Sequence, residues 1–154
     1  MADEREARAN LMFHRQKQHM ITLLGKEALD DGQINKLAKH LFRSKWGGCF
    51  GESQFKLTGQ TNKFYVLNTS KAGTHWVAVV VGGAKTVYVY DSFGRATGLI
   101  LRHFKRECER KGYRIVESKR DRPEQSDSSS VCGQMCIAWL YTAKQLGVKM
   151  ALLI

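Results

Sequence analysis

Proline and long apolar runs are almost missing from this chain. One proline occurs in 154 residues, and the longest apolar run, residues 76–81, has the length of a strand rather than of a membrane span. Hydrophobic residues make up 43% of the chain, which argues against a disordered polypeptide. The N-terminal segment MADEREARAN lacks the apolar stretch of a secretory signal. We therefore expect a protein that is neither secreted nor embedded in a membrane.

Cysteine is also scarce. The four cysteines are too few and too scattered for a disulfide scaffold: Cys49, Cys108, Cys132 and Cys136. No pair of C-x-x-C knuckles is present, and the last two cysteines have no His or Cys neighbour at zinc-finger spacing. We expect reduced thiols, no bound metal and no organic cofactor.

Negative charge is in short supply as well. Lys and Arg number 25 against 14 Asp and Glu, giving a formal net charge of +11. Such an excess usually indicates a polyanionic partner, most often nucleic acid, although a solvated basic surface has the same composition. Basic residues cluster in one segment: Arg102, Lys105, Arg106, Arg110, Lys111 and Arg114. The cluster predicts non-specific, salt-dependent binding to the DNA backbone.

The length fits one domain, residues 1–154. Helix formers dominate residues 3–29, and an apolar stripe predicts a helix over 33–42. We interpret the glycine-rich segment 46–51 as a loop. Strands are predicted at 63–68, 75–81, 86–90 and 113–117, and helices at 97–111 and 132–146. A Gly-Gly turn makes 75–90 a hairpin. The pattern predicts an α+β fold with a mixed, mainly antiparallel central sheet flanked by helices.

Two of the predicted helices carry basic residues or cysteines beside their apolar positions. In the helix predicted at 97–111, the apolar face is expected to hold Leu99, Ile100, His103 and Phe104. The last helix begins at Cys132, after three serines at 128–130 that are natural N-capping residues. A thiol in the first turn of a helix lies near the positive end of the macrodipole, which favours the thiolate. Cys136, one turn further on, is better interpreted as a small core residue.

A cysteine nucleophile needs a base, and the base needs an orienting group. His75 starts a predicted strand and Asp91 follows the next one, so a hairpin brings both to the same end. Gln125 lies seven residues before Cys132, where its amide can donate a hydrogen bond to an oxyanion alongside the backbone N–H of Cys132. Taken singly, a structural histidine, a turn aspartate and a solvated glutamine are the better interpretations. Only their combination indicates a thiol hydrolase.

Three motifs together resemble the adenovirus maturation proteases, the adenain family, which is related to the SUMO and ubiquitin-like-protein proteases. They are Gly73-Thr74-His75-Trp76, Tyr90-Asp91-Ser92-Phe93-Gly94, and Gln125 followed after six residues by Cys132-Gly133. The resemblance covers about residues 30–146 and leaves 1–29 as an N-terminal helical extension. It implies the adenain fold, with a nucleophile at the N-terminus of a helix. By this resemblance Cys132 is that nucleophile, His75 the general base, Asp91 its orienting acid and Gln125 an oxyanion donor.

The resemblance also implies a function. The family consists of viral cysteine endopeptidases that cleave virion precursor proteins near small residues, typically glycine, during capsid maturation. DNA assists such enzymes, in agreement with the charge of +11. We expect a monomer acting on viral structural precursors, in the virion and in the host nucleus or cytoplasm. An activating peptide stays open, because Arg114 stands where the family has its activator-linking cysteine.

Two alternatives remain. A deubiquitinating or deSUMOylating protease uses the same chemistry. A protein of a different class, a non-enzymatic DNA-binding virion protein on a protease-like fold, would share the motifs without turnover.

Overall fold

The computed structural model describes residues 4–69, 75–118 and 130–154. These ranges hold six α-helices and five β-strands. In chain order the elements are α1 (Glu4–Leu24), α2 (Asp31–Phe42), β1 (Trp46–Gly51), β2 (Lys63–Asn68), β3 (Trp76–Val81), β4 (Thr86–Tyr90), α3 (Thr97–Ile100), α4 (Arg102–Lys111), β5 (Arg114–Glu117), α5 (Cys132–Leu146) and α6 (Val148–Ala151).

The strands of the described ranges form one sheet in the order β1-β2-β3-β4-β5. The inner pairs β2–β3 and β3–β4 are antiparallel, which confirms the predicted hairpin, and the outer pairs β1–β2 and β4–β5 are parallel. The α+β class and the mixed sheet are therefore confirmed. The expectation of a mainly antiparallel sheet is wrong, because each edge strand returns by a longer crossover, which only a parallel pairing requires.

The core lies on both faces of the sheet. All six residues of β3 are buried, as expected for a continuous β-branched run in a central strand. One face packs against α1, α2 and α5, and the other against α4. Residues 132–140 of α5 are all buried, which is typical of a helix enclosed on every side.

The N-terminal helix α1 belongs to the same core. Its buried residues are Ala9, Phe13 and Met20. Phe13 meets the ring of Tyr90, the last residue of β4, edge-on at 5.9 Å between centroids. Residues 1–29, which the resemblance leaves outside the adenain-like part, thus supply α1 to the face of the sheet that carries α5. No helix in the described ranges is both long and apolar enough to span a membrane.

Segment 46–51, predicted as a loop, is strand β1. Its glycines fit the close approach of a neighbouring side chain, since a Cβ at Gly47 would lie 2.3 Å from the ring of Tyr65 on β2. Gly48 has φ +137°, a conformation that other residues rarely adopt. The glycines of this segment therefore allow β1 to pair closely with β2, and they do not indicate a loop.

The helix predicted at 97–111 is interrupted at Leu101, whose φ of −127° and ψ of 65° are not helical. The side chain of Leu101 is fully buried. The expected apolar face is wrong at two positions, because Leu99 is 68% exposed and His103 is exposed. Because the helix is broken at Leu101, α3 and α4 do not continue one helical period. The spacing of apolar residues over 97–111 therefore does not predict which side chains are buried.

Candidate catalytic site

The β3–β4 hairpin brings His75 and Asp91 together, as the sequence predicts. His75 immediately precedes β3 and Asp91 immediately follows β4, and Ala78 pairs with Tyr90 across the hairpin. The Nε2 atom of His75 lies 2.5 Å from Oδ1 of Asp91. The histidine side chain is 11% exposed and the aspartate side chain 2%. The contact is therefore shielded from water on the aspartate side, where electrostatic interactions are strong.

The turn after β4 holds the Asp91 carboxylate in place. Its Oδ1 accepts a hydrogen bond from the Phe93 backbone N–H at 3.2 Å, and its Oδ2 accepts from the Arg95 backbone N–H at 2.8 Å. Burial disfavours the charged carboxylate, but the bond to His75 and the two backbone donors outweigh it and lower the pKa of Asp91. The carboxylate stays ionised and can stabilise an imidazolium at His75.

Cys132 is the first residue of α5 and contacts the other side of the His75 ring. Nε2 of His75 contacts Asp91, and the His75 side chain also forms a hydrogen bond with the Cys132 side chain. Burial disfavours the thiolate, but the hydrogen bond to His75 and those from the backbone N–H groups of Trp76 and Gly133 lower the pKa of the Cys132 thiol. For His75, burial opposes protonation, while the bonds to Asp91 and Cys132 prevail and raise its pKa.

These shifts favour a thiolate–imidazolium pair. The other three cysteines differ, and all of them lie in the described ranges. Burial raises the pKa of Cys49 and of Cys108 to about 12 each, and it raises that of Cys136 well above its ordinary value. Cys136 is fully buried in the core, as expected. All four residues carry thiols rather than disulfides. Cys132 is thus the one of the four cysteines whose surroundings lower the thiol pKa and favour the anionic sulfur.

Of the three predicted capping serines, the structure describes only Ser130, and its side chain does not cap α5. The N-cap is Val131, with no side-chain capping bond, and the Ser130 hydroxyl instead donates to the carbonyl of Lys26 at 2.8 Å. The environment of Cys132 therefore depends on His75 and on backbone donors rather than on a serine cap. Residues 128 and 129 and Gln125, the predicted oxyanion donor, lie outside the described residues.

Sequence reasoning missed a segment that links the two halves of the site, residues 25–29 between α1 and α2, here called the linker loop. The Nε2 atom of Gln134, on α5, donates to the carbonyls of Gly25 and Glu27, both at 2.9 Å. The indole N–H of Trp76, next to His75, donates to the carbonyl of Leu29 at 2.9 Å. The one signal in the sequence is Gln134 itself, an uncharged polar residue in an otherwise apolar helix pattern.

Close packing also joins these parts. A Cβ at Gly133 would lie 3.3 Å from both Leu29 and the ring of Trp76. Trp76 is buried in the core. Two further neighbours line the histidine: the ring of Phe93 stacks on His75 with centroids 4.6 Å apart, and the guanidinium of Arg95 lies 4.7 Å above Phe93.

The predicted DNA-contacting residues lie on α4 and at the start of β5. Arg102, Lys105, Arg106 and Arg110 have exposed side chains or lie at exposed positions of α4, Lys111 is half-buried, and Arg114 is exposed. Carboxylates offset part of this charge: Arg110 and Lys111 lie 2.5 and 3.7 Å from Glu107, and Lys105 lies 3.8 Å from Glu109. Arg102 and Arg106 form no ion pair with any described residue.

Among the described residues, no group of three or more His, Cys, Asp or Glu side chains is placed to hold a metal ion. No known family model and no curated protein matches the chain. The site is therefore defined by its own geometry: a base held between an ionised carboxylate and a thiol of lowered pKa.

Proposed function

We propose that this protein is an adenain-like viral cysteine endopeptidase that cleaves virion precursor proteins near small residues, glycine above all. The observation that carries the proposal is the position of His75, which bonds Asp91 on one side and Cys132 on the other. Nucleophile, base and orienting acid are the set that acyl transfer by a thiol needs. The motifs around them, which resemble those of the adenain family, support the substrate class.

In the proposed reaction, the Cys132 thiolate attacks the scissile carbonyl carbon and forms a tetrahedral oxyanion. The backbone N–H of Cys132 and the Gln125 amide are assigned to stabilise that oxyanion. The imidazolium of His75 then protonates the departing amine, the C–N bond breaks, and a thioester remains on Cys132. His75 next takes a proton from water, the resulting hydroxide attacks the thioester, and the carboxylic acid leaves as the sulfur returns to its thiolate form.

The proposed site needs no metal ion or organic cofactor for these steps. DNA is proposed as an activating surface, a role supported by the net charge of +11 and by the exposed cationic residues of α4 and β5. An activating peptide is left out of the proposal because Arg114 offers no thiol for its attachment.

The test is cleavage of a fluorogenic glycine-containing peptide set by the wild type, by Cys132→Ala and by the matched variant Cys108→Ala. Cys108 is equally a buried thiol, but it lies on α4, in the part of the core on the other face of the sheet from Cys132. We expect turnover by the wild type and by Cys108→Ala, and none by Cys132→Ala. Equal turnover by Cys132→Ala and the wild type would refute the proposal. No turnover by any of them would favour the non-enzymatic DNA-binding protein.

Ubiquitin- and SUMO-linked fluorogenic substrates distinguish the second candidate, a deubiquitinating or deSUMOylating protease. If the protein is a viral endopeptidase, we expect it to cleave short glycine-containing peptides at least as well as these linked proteins. Cleavage of the ubiquitin- or SUMO-linked substrates alone would favour the deubiquitinating or deSUMOylating protease over the viral endopeptidase.

A further inference from the structure

A cavity of about 580 Å³ lies beside the catalytic histidine. Its charged lining is basic: Arg95 from the turn after β4, and Arg102, His103 and Arg106 from α4. No carboxylate is among its lining residues in the described part of the chain. A concave surface lined by several cationic side chains and by no carboxylate is suited to an anionic ligand.

Two contacts connect the cavity to His75. The guanidinium of Arg95 lies over Phe93, whose ring stacks on the imidazole. Thr69, which lines the cavity, donates its backbone N–H to the carbonyl of His75 at 3.1 Å. A polypeptide whose scissile bond lies at Cys132 therefore has the cavity within reach of the residues that flank that bond.

The three arginines that line the cavity differ in whether their guanidinium groups are already paired with a carboxylate. Arg102 and Arg106 are exposed, lie one turn apart on α4 and form no ion pair with any described residue. Arg95 places its Nε 3.3 Å from Asp91, and its side chain remains 43% exposed. Asp91 thus fixes the orientation of one guanidinium, while the two on α4 are left to bind a carboxylate in the bidentate manner that arginine favours.

The same cavity has an apolar portion. Leu99 is 68% exposed, and it is one of three large hydrophobic residues that are exposed among the described residues. Ile100, beside it, is half-buried. An aspartate or glutamate side chain offers a carboxylate on a methylene stem, so it can use both portions. A phosphodiester backbone uses only the cationic one, and it favours an open surface over a cavity beside a catalytic residue.

We propose that this cavity, formed by Arg95, Arg102, His103, Arg106, Leu99 and Ile100, binds an acidic side chain of the substrate polypeptide near the scissile bond. The inference rests on the proposed peptidase function and adds a specificity to it. The enzyme then selects substrates that carry Asp or Glu at one fixed position relative to the small residue at the cleavage site.

The test uses glycine-containing fluorogenic peptides in which each position flanking the glycine is, in turn, Glu, Ala or Lys. They are presented, without DNA, to the wild type, to Arg102→Glu/Arg106→Glu, and to the matched control Lys36→Glu/Lys39→Glu. The control carries the same change of charge at exposed positions of α2. Binding of the same peptides, labelled, is measured by fluorescence polarisation with Cys132→Ala added to each of the three proteins, so that the preference is read without turnover.

We expect the wild type and the control to prefer Glu over Lys at one position by about tenfold or more, in kcat/KM and in binding. The Arg102→Glu/Arg106→Glu variant should lose this preference and accept Lys at that position. Such a reversal cannot come from misfolding, because it is a gain of activity. Equal use of Glu, Ala and Lys at every position would overturn the inference and leave the peptidase intact.

Two further outcomes separate the inference from the function. Absence of cleavage would refute the proposed function, and the polarisation data would then test the role of the cavity alone. A Glu preference that the charge reversal removes supports acidic-residue binding in the cavity. No preference in binding overturns the inference. Binding of a 20-base-pair DNA duplex is measured in parallel. If the charge reversal abolishes DNA binding and leaves peptide selection unchanged, the cavity serves nucleic acid and the inference is wrong.

Discussion

At the scale of single residues, the site depends on the hydrogen bonds of the His75 side chain with both Asp91 and Cys132. Asp91 is buried and ionised, and it favours the imidazolium. The imidazolium in turn favours the thiolate of Cys132, against the burial that disfavours both charges. Burial disfavours the charged form of each side chain, and each charge is stabilised by the other. The His75 imidazole and the Cys132 thiol are therefore expected to titrate as a coupled pair.

The pH dependence of activity tests the role of Asp91. Activity requires the thiolate, present above the lowered pKa of Cys132, and the imidazolium, present below the raised pKa of His75, so the profile should be bell-shaped. Asp91→Asn removes the carboxylate that raises the pKa of His75. We expect the alkaline limb of kcat/KM to move to lower pH and the maximum to fall by about 10²- to 10⁴-fold.

The control is Asp31→Asn, the same change at an exposed position in the first turn of α2. It should leave the profile unmoved. An alkaline limb that stays in place in Asp91→Asn would show that Asp91 does not set the protonation of His75.

At the scale of elements, the linker loop holds the nucleophile helix and the histidine strand in register. Gln134 of α5 and Ser130 just before that helix donate to its carbonyls, and Trp76 of β3 donates to the carbonyl of Leu29. Gln134 is fully buried, and a buried side-chain amide needs such partners. The loop is therefore expected to contribute to the alignment of Cys132 with His75.

Replacement of Gln134 by leucine tests this alignment. The carbonyls of Gly25 and Glu27 would lose their donor, and we expect the free energy of unfolding to fall by about 1–3 kcal/mol. Because the loop also binds the neighbour of His75, kcat should fall more than KM rises. Urea unfolding and steady-state kinetics measure the two effects, with Gln145→Leu, exposed on the same helix, as the control. A stable Gln134→Leu protein with unchanged kcat would contradict the positioning role.

The sequence predicts those parts of the site whose geometry is local. The period of residues 75–90 and the turn at Gly82-Gly83 determine the hairpin, and the hairpin determines that His75 and Asp91 meet. The linker loop could not be predicted in this way, since its contacts join positions 109 and 47 residues apart. Strand β1 was missed because pairing partners, rather than its own glycine-rich sequence, make segment 46–51 a strand.

At the scale of the whole molecule, α1 and the sheet share one core. Phe13 is fully buried between α1 and the neighbouring elements, whereas Leu11 on the same helix is 53% exposed. We expect Phe13→Ala to lower the free energy of unfolding by about 3–5 kcal/mol, and Leu11→Ala to change it by less than about 0.5 kcal/mol. Denaturant unfolding of both variants measures the difference. Equal, small effects would show that α1 is an appendage.

The net charge belongs to the whole molecule too. If the cationic residues of α4 and β5 bind DNA phosphates, log K for a duplex should fall linearly with log salt concentration. Lys105→Gln/Arg114→Gln should make the slope shallower by about one for each phosphate that the variant no longer neutralises, uniformly across DNA sequences. Lys36→Gln/Lys39→Gln is the charge-matched control. An unchanged slope in the first variant would remove α4 and β5 from the DNA-binding surface.

The central claim is that His75 holds Cys132 as a reactive thiolate, and it is tested most directly without any substrate. The measurement is the rate of iodoacetamide modification at each cysteine against pH, followed by peptide mass spectrometry in the wild type and in His75→Ala. We predict that Cys132 reacts first, at pH values well below its ordinary thiol pKa, and that His75→Ala shifts this reaction to higher pH. The claim is contradicted if Cys132 has the same pH dependence in both proteins.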